Sequence, residues 1–231
     1  MKIKFGSIVT DGSGKLGGHV YSKNRGGNYV RTNVVPSNPR TAAQILARSR
    51  FGLASAGWKA LTAQQREAWE EFARNNPYSD NLGQQRHLSA SAAYTRSSNN
   101  LLTVYKAPIT VPIEVKESIT FEGFRGQFTD PNVAQVEFIG TDISNVGGAK
   151  LLVKASPPFP ASQKYAANKI RIVGAFDASD IDAQTNMLDF STEYVNNIGG
   201  LVSHMRVAWE IHLIDSNGLS KFVAGGSEIV G

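Results

Sequence analysis

Met205-Arg206-Val207-Ala208-Trp209-Glu210-Ile211-His212-Leu213-Ile214, then Asp215-Ser216-Asn217-Gly218, then Ser220-Lys221-Phe222-Val223, is the stretch whose reading decides the fold. Val207, Trp209, Ile211 and Leu213 alternate with Ala208, Glu210 and His212, the period of a strand with one buried face. The Asp-Ser-Asn-Gly segment supplies a tight turn, so the spacing predicts a terminal antiparallel hairpin. Shorter runs of similar texture precede it at Ile113 to Val115, Ile119 to Phe121, Ala134 to Ile139, Leu151 to Lys154 and Ile170 to Val173. Pro157-Pro158-Phe159-Pro160 and Asp177 to Asn186 read as long loops between them. Many short strands separated by turns predict an antiparallel β-sandwich over residues 107–231.

Upstream of Pro108 and Pro112 the period changes from two to about 3.6. Pro36-Ser37-Asn38-Pro39 breaks the chain and leads into Thr41-Ala42-Ala43-Gln44, which has capping-box spacing. Ala47, Phe51, Ala54, Trp58 and Leu61 then recur every three or four residues, lining one face of a helix. Thr62-Ala63-Gln64-Gln65 repeats the box, and Trp69 and Phe72 continue the period until Asn75-Asn76-Pro77. The pattern predicts a helical hairpin with Phe51, Trp58, Trp69 and Phe72 as its core. A third helix is expected over Leu88 to Leu102, although Ser97, Ser98, Asn99 and Asn100 weaken it.

The N-terminal stretch is different again. Seven glycines fall between Gly6 and Gly27, around short β-prone pieces at His19-Val20-Tyr21 and Tyr29-Val30. Glycine raises the entropy cost of ordering and leaves little to bury, so residues 1–37 read as an extended arm that needs a partner. A hairpin around Lys23 to Asn28 is the local structure it can form.

Charge divides along the same lines. The net charge is +5, but residues 1–106 carry 15 Lys/Arg against 5 Asp/Glu, and residues 107–231 carry 9 against 14. Within the first 50 residues nine cations face only Asp11, so this part seeks acidic protein surfaces, a neighbouring copy or phosphates. Lys15, Lys23, Arg25, Tyr29, Arg31 and Arg40 are the expected anchoring contacts, because charge-assisted bonds and aromatic burial are the strong terms at interfaces.

Catalytic chemistry finds no candidate. The chain has no cysteine, which removes disulfides, thiolate metal sites and cysteine nucleophiles. Gly12-Ser13-Gly14-Lys15 fails as a phosphate loop, with Val9 where the first glycine should stand and Leu16 where Ser or Thr should follow the lysine. His19, His87, His204 and His212 are scattered without metal-ligand spacing. Asp177, Asp180, Asp182 and Asp189 form an acidic loop that lacks the glycine and terminal glutamate of an EF-hand. No serine sits in a GxSxG elbow; a small hydrolase would need a pocket gathering Asp177, His204 or His212. No cofactor, metal or small-molecule substrate is expected. Met1 to Thr10 is too short and too basic for a secretory leader, and no run approaches the roughly 20 apolar residues of a membrane span. The expectation is a chain made in the cytoplasm, with no membrane partner.

Gly14-Lys15-Leu16-Gly17-Gly18, Ser22 to Arg31, Pro36 to Gln44 and Trp58 to Trp69, together spanning about residues 5–75, resemble a pattern in phage-encoded virion structural proteins. The C-terminal part looks like the fibronectin- or immunoglobulin-type modules appended to virion proteins. The resemblance implies a non-catalytic accessory component of the particle, in capsid, neck or tail, whose partners are other virion proteins and copies of itself. Sequence and resemblance together give an α+β chain in three parts: an arm over 1–37, a helical segment over 38–106 and a β-sandwich over 107–231. A nucleic-acid-binding protein using the basic arm is the alternative, since Arg25 and Arg31 interleave with Tyr21 and Tyr29 as cations and aromatics do in such proteins.

Overall fold

A computed structural model describes residues 12–24, 27–35, 37–79, 83–113, 122–129, 132–139, 148–163, 167–182 and 184–231. The chain divides into two compact units, Met1–Ile45 and Leu46–Gly231. The first holds a three-stranded antiparallel sheet of β1 (Gly14–Leu16), β2 (His19–Asn24) and β3 (Gly27–Thr32), in that order. Gly17, at φ +55°, makes the tight turn from β1 to β2, and Asn33 N donates to Gly18 O at 2.8 Å. The expected hairpin is thus present, with Asn24 paired to Gly27 and a short third strand added. Arg25 lies outside the described residues. No described residue from Gly12 to Val35 is buried.

Helix α1 (Ala42–Ala60) starts in the first unit and runs into the second, where α2 (Ala63–Asn75), the ribbon β4 (Tyr78–Ser79) and β5 (Gln85–Arg86), and α3 (Ala90–Thr103) follow. Both expected N-termini are capped. Gln44 N donates to Thr41 Oγ1 at 3.3 Å; at Thr62 the box is reciprocal, with Gln65 N on its hydroxyl at 3.3 Å and its own N–H on Gln65 Oε1 at 2.9 Å. Asn76 closes α2 by donating from both its backbone and its side chain to Phe72 O.

Trp69 is the centre of this small core. It is fully buried, packs edge-on against Phe72 and Tyr94 at 5.2 Å each, and donates from Nε1 to Thr110 O at 3.0 Å. Trp58 and Phe72 are half-buried around it. Phe51 is not in the core: its side chain is 60% exposed. Tyr94, from α3, fills that role instead, lying over Gly57 so closely that a Cβ there would overlap its hydroxyl.

The remainder is two antiparallel sheets. One orders β10 (Arg171–Asp177), β8 (Lys150–Ala155), β12 (Met205–Ile214) and β13 (Ser220–Ile229), with the short β9 (Phe159–Pro160) paired to the start of β12. The other orders β11 (Met187–Asp189), β7 (Val133–Ile139) and β6 (Gly123–Thr129). A single core joins them, with Phe128, Val136 and Phe138 from one sheet and Val153, Val207, Trp209 and Ile211 from the other. Helix α4 (Ser191–Asn197) adds Tyr194, whose hydroxyl donates to Ser156 O at 2.8 Å. The β12–β13 hairpin falls where the alternation predicted it, with β13 running on to Ile229 past a bulge between Ile211 and His212. Strands β6, β9 and β11 and helix α4 were not anticipated, β9 falling within the Pro157 to Pro160 segment read as a loop. The segment read as a loop from Asp177 holds a 3-10 turn at Ala178–Asp180 and a bridge from Ile181 to Leu188. Of the expected strands Ile113 to Val115 and Ile119 to Phe121, residues 114–121 lie outside the described residues, and Ile113 is not in a strand. Among the described residues no helix is long and apolar enough to cross a membrane.

Helices and sheets meet at the tip of the β12–β13 hairpin. Asp215 Oδ1 accepts from Asn217 N at 3.0 Å and Leu219 N at 2.8 Å, which closes the turn. Asn217 then clamps the Ile113 backbone, accepting its N–H at 2.9 Å and donating to its carbonyl at 2.7 Å. Asn100 Nδ2 of α3 donates to Gly218 O at 2.8 Å, and Val104 packs on Leu152 and Ile214. Gly218 has φ +77°, and a Cβ there would overlap the Ser97 carbonyl.

Two substitutions separate backbone strain from lost docking. Gly199 also has positive φ, but in open space, so Gly199→Ala is expected to cost about 1 kcal/mol. Gly218→Ala adds the clash with α3 and is expected to cost about 3–4 kcal/mol in urea unfolding. Equal costs at the two sites would show that α3 does not bear on the tip.

Candidate interaction surface

Strand register decides which arm residues act together. Lys15, Val20 and Arg31 lie in one cross-strand row, and Ser22 pairs with Tyr29 in the next, so Lys15, Arg31 and Tyr29 share one face of the sheet. Tyr21 and Val30 form a row on the opposite face, with Leu16, His19 and Lys23. The sequence-predicted anchor set therefore splits. Lys15, Tyr29 and Arg31 converge, Lys23 points the other way, and Arg40 lies beyond the sheet at φ +50°. The alternation within β2 and β3, read with the turn at Gly17-Gly18, was the signal that could have sorted them.

No described residue of the sheet is buried. Leu16, Val34 and Val35 are highly exposed, while Val20, Tyr21, Tyr29 and Val30 are half-buried.

Several open clefts lie in the second unit. A groove of about 560 Å³ between α1 and α3 is lined by Phe51, Ser55, Trp58, Thr95, Arg96 and Asn99. A shallower trough of about 300 Å³ runs over the outer face of β12 and β13, beside Ile170, Ala208, Glu210, Phe222 and Gly225. Sequence reasoning assigned Phe51 to the core and left the trough unnoticed. The exposed Phe222 on an outward-facing strand position was the available signal.

One array beside the trough has the residue types of a hydrolase. His212 Nε2 lies 3.1 Å from Glu210 Oε2, and its Nδ1 lies 3.5 Å from Ser220 Oγ. The serine contact is long, and the three side chains form a polar ladder between β12 and β13 beside the bulge at Ile211 and His212. His204 and Asp177 are not part of it: Asp177 pairs with Lys150 Nζ at 3.0 Å.

The acidic loop is likewise spent on turns. Asp180 Oδ2 accepts from Asp177 N at 2.7 Å, and Asp182 Oδ1 accepts from Gln184 N at 2.7 Å and Thr185 N at 3.3 Å. Asp189 Oδ1 accepts from both the hydroxyl and the amide of Ser191, whose hydroxyl oxygen takes the Ala134 amide at 2.8 Å. Among the described residues no group of three or more His, Asp or Glu is disposed to hold a metal. No protein-family model matches the chain, and no curated protein matches it in sequence.

These bonds set a pH dependence. The amides of Gln184 and Thr185 hold Asp182 below the ordinary carboxylate range. Burial alone would raise Asp189, but the two bonds from Ser191 and one from Gln135 outweigh it and hold it low as well. A depressed folded-state pKa stabilises fully above the unfolded value, near 4, and that stabilisation is lost as pH falls through the folded one. Melting temperature should therefore drop between pH 5 and pH 3, and Asp189→Asn should be less stable at pH 6 yet lose less on acidification. A variant curve parallel to the wild type would remove Asp189 from the linkage.

Proposed function

We propose that this chain is a non-catalytic structural component of a phage-type particle, located in the virion and held to neighbouring subunits by its N-terminal sheet. The observation that carries this reading is the absence of any buried residue among those described from Gly12 to Val35. The three strands hold 3, 6 and 6 residues, and ordering each residue's backbone costs about 1–2 kcal/mol. Strand pairing without a buried face does not offset that cost, so the sheet requires a surface to lie on. The second unit has its own core and needs no such help. A self-sufficient body preceded by a sheet that lacks one suits a subunit that docks on a repeated lattice and projects the rest, as an auxiliary capsid, neck or tail protein does. The sequence resemblance over residues 5–75 points the same way.

The C-terminal sheets, sharing one core, are on this reading the two layers of a fibronectin- or immunoglobulin-like sandwich, the module that is projected.

Deleting residues 2–35 tests the anchor. The remainder is expected to stay folded, with a melting temperature within a few degrees of the full chain, and to fail to join the particle on coexpression with the other virion proteins. Normal incorporation of the truncated chain would sink the reading.

A nucleic-acid-binding role is favoured by one observation, the pair Lys15 and Arg31 flanking Val20 on the face that carries Tyr29. It predicts binding of a labelled single-stranded oligonucleotide that weakens steeply from 50 to 200 mM salt and is reduced in Lys15→Ala/Arg31→Ala. Absence of binding at 50 mM salt eliminates it.

A further inference from the structure

We propose that Asn217 is a deamidation site that the docked hairpin tip keeps closed, so that a chain whose tip stays undocked loses the helix–sheet junction irreversibly. The inference goes beyond the particle reading and rests neither on it nor on the arm.

Asn217-Gly218 is the only Asn-Gly pair in the chain. In such a pair the backbone nitrogen of the glycine, stripped of its proton, attacks the side-chain carbonyl carbon of the asparagine. The new C–N bond closes a five-membered imide, the old C–N bond breaks, and the side-chain nitrogen takes up a proton and leaves as ammonia. Water then opens the imide to aspartate or isoaspartate. Glycine favours the attack because no Cβ crowds its nitrogen and its dihedral angles are free.

The docked tip refuses each requirement of that step. The Gly218 N–H carries the proton that must leave, and it donates to Asp215 O at 2.9 Å. The Asn217 amide, which must swing onto that nitrogen, is held at both ends by Ile113, accepting its N–H at 2.9 Å and donating to its carbonyl at 2.7 Å. Asn217 is only 3% exposed, which keeps water and base away. Gly218 itself is fixed at φ +77° against the Ser97 carbonyl, with Asn100 Nδ2 on its own carbonyl at 2.8 Å. Most of these contacts run to α3 or to Ile113, so they part together when the tip opens. Local opening of this kind requires less free energy than global unfolding.

The product does not close the same clamp. An aspartate at this position has no side-chain N–H, so a carboxylate oxygen would face the Ile113 carbonyl that Nδ2 now holds. A second negative charge would also stand two residues from the buried Asp215. Both changes leave buried polar groups unmatched. Isoaspartate adds a backbone carbon ahead of Gly218 and moves it off its contacts with Ser97 and Asn100. Ammonia is lost to the solvent, so the change is not reversed on redocking.

The gate is read by incubating the full chain in mildly alkaline buffer, with and without guanidinium, and following residue 217 by peptide mass spectrometry. Deamidation is expected to be on the order of 100-fold slower in the native chain. Asn100→Ala removes the bond to Gly218 O and should speed the native reaction about fivefold, with no change in guanidinium. Asn217→Asp, which installs the product's charge, should melt about 5 °C below the wild type. Equal rates with and without guanidinium, an Asn100→Ala rate equal to that of the wild type, or an Asn217→Asp chain that melts with the wild type would each overturn the proposal. Should Asn100→Ala fail to fold, the solvent comparison and Asn217→Asp still decide it.

Discussion

The hairpin tip at Asp215-Ser216-Asn217-Gly218 is the constraint on which the second unit depends. Without it the helices and the sheets are two separate cores, a small one around Trp69 and a larger one around Trp209. The tip joins them through buried polar groups. Asp215 and Asn217 are both buried, which is costly for such residues unless every lone pair and proton is matched. Asp215 matches its carboxylate to amides of its own turn, and Asn217 matches its amide to the Ile113 backbone. Removing a single partner leaves the other unsatisfied in the interior, and so the docking is specific as well as favourable.

That constraint explains a sequence feature that pulls against local propensity. Ser97, Ser98, Asn99 and Asn100 are poor choices inside a helix, and they weakened the expectation of a third helix. In the structure Ser97 and Ser98 are buried where the tip approaches, Gly218 lies against the Ser97 carbonyl, and Asn100 donates to the Gly218 carbonyl. Larger side chains would hold the tip away. The helix gives up some propensity to obtain a close approach, and tertiary packing on Leu101 and Val104 makes up the difference.

What was legible in the sequence follows the range of the interactions concerned. Capping at Thr41 and Thr62 is local, and both helices begin there. Alternation in β12 is local, and its bounds agree to the residue. Strand β6 was not legible because Gly123-Phe124-Arg125-Gly126 has no strand-like alternation: Gly126 is there to let the Trp209 indole pass, a reason that exists only once the sheets are stacked. Helix α4 begins at Phe190 with no side-chain cap, so it carries no start signal either. The candidate surface was half legible. Composition identified Lys15, Tyr29 and Arg31, but only the register of β1, β2 and β3 shows that they face one way and Lys23 the other. Phe51 is the instructive error: its period is that of a buried residue, yet its side chain is exposed, because period alone does not say whether a neighbouring element reaches that part of the face.

The titratable groups that the sequence offers as candidates are held by bonds within the fold. Functional sites leave titratable groups under-satisfied, strained or set against one another, because reactivity needs groups that are not already at rest. Here the opposite holds for the obvious candidates. Asp180, Asp182 and Asp189 each accept backbone amides, and Asp182 and Asp189 are held ionised by those bonds. The Tyr194 phenol is pushed upward by burial and fixed as a donor to Ser156. His212 is spanned by Glu210 and Ser220 on a flat strand face. Large apolar groups stand exposed among the described residues: Leu16, Val34 and Val35 in and beside the three-stranded sheet, Phe51 and Leu53 on α1, and Phe222 on β13. Exposed apolar surface of this kind is what association covers.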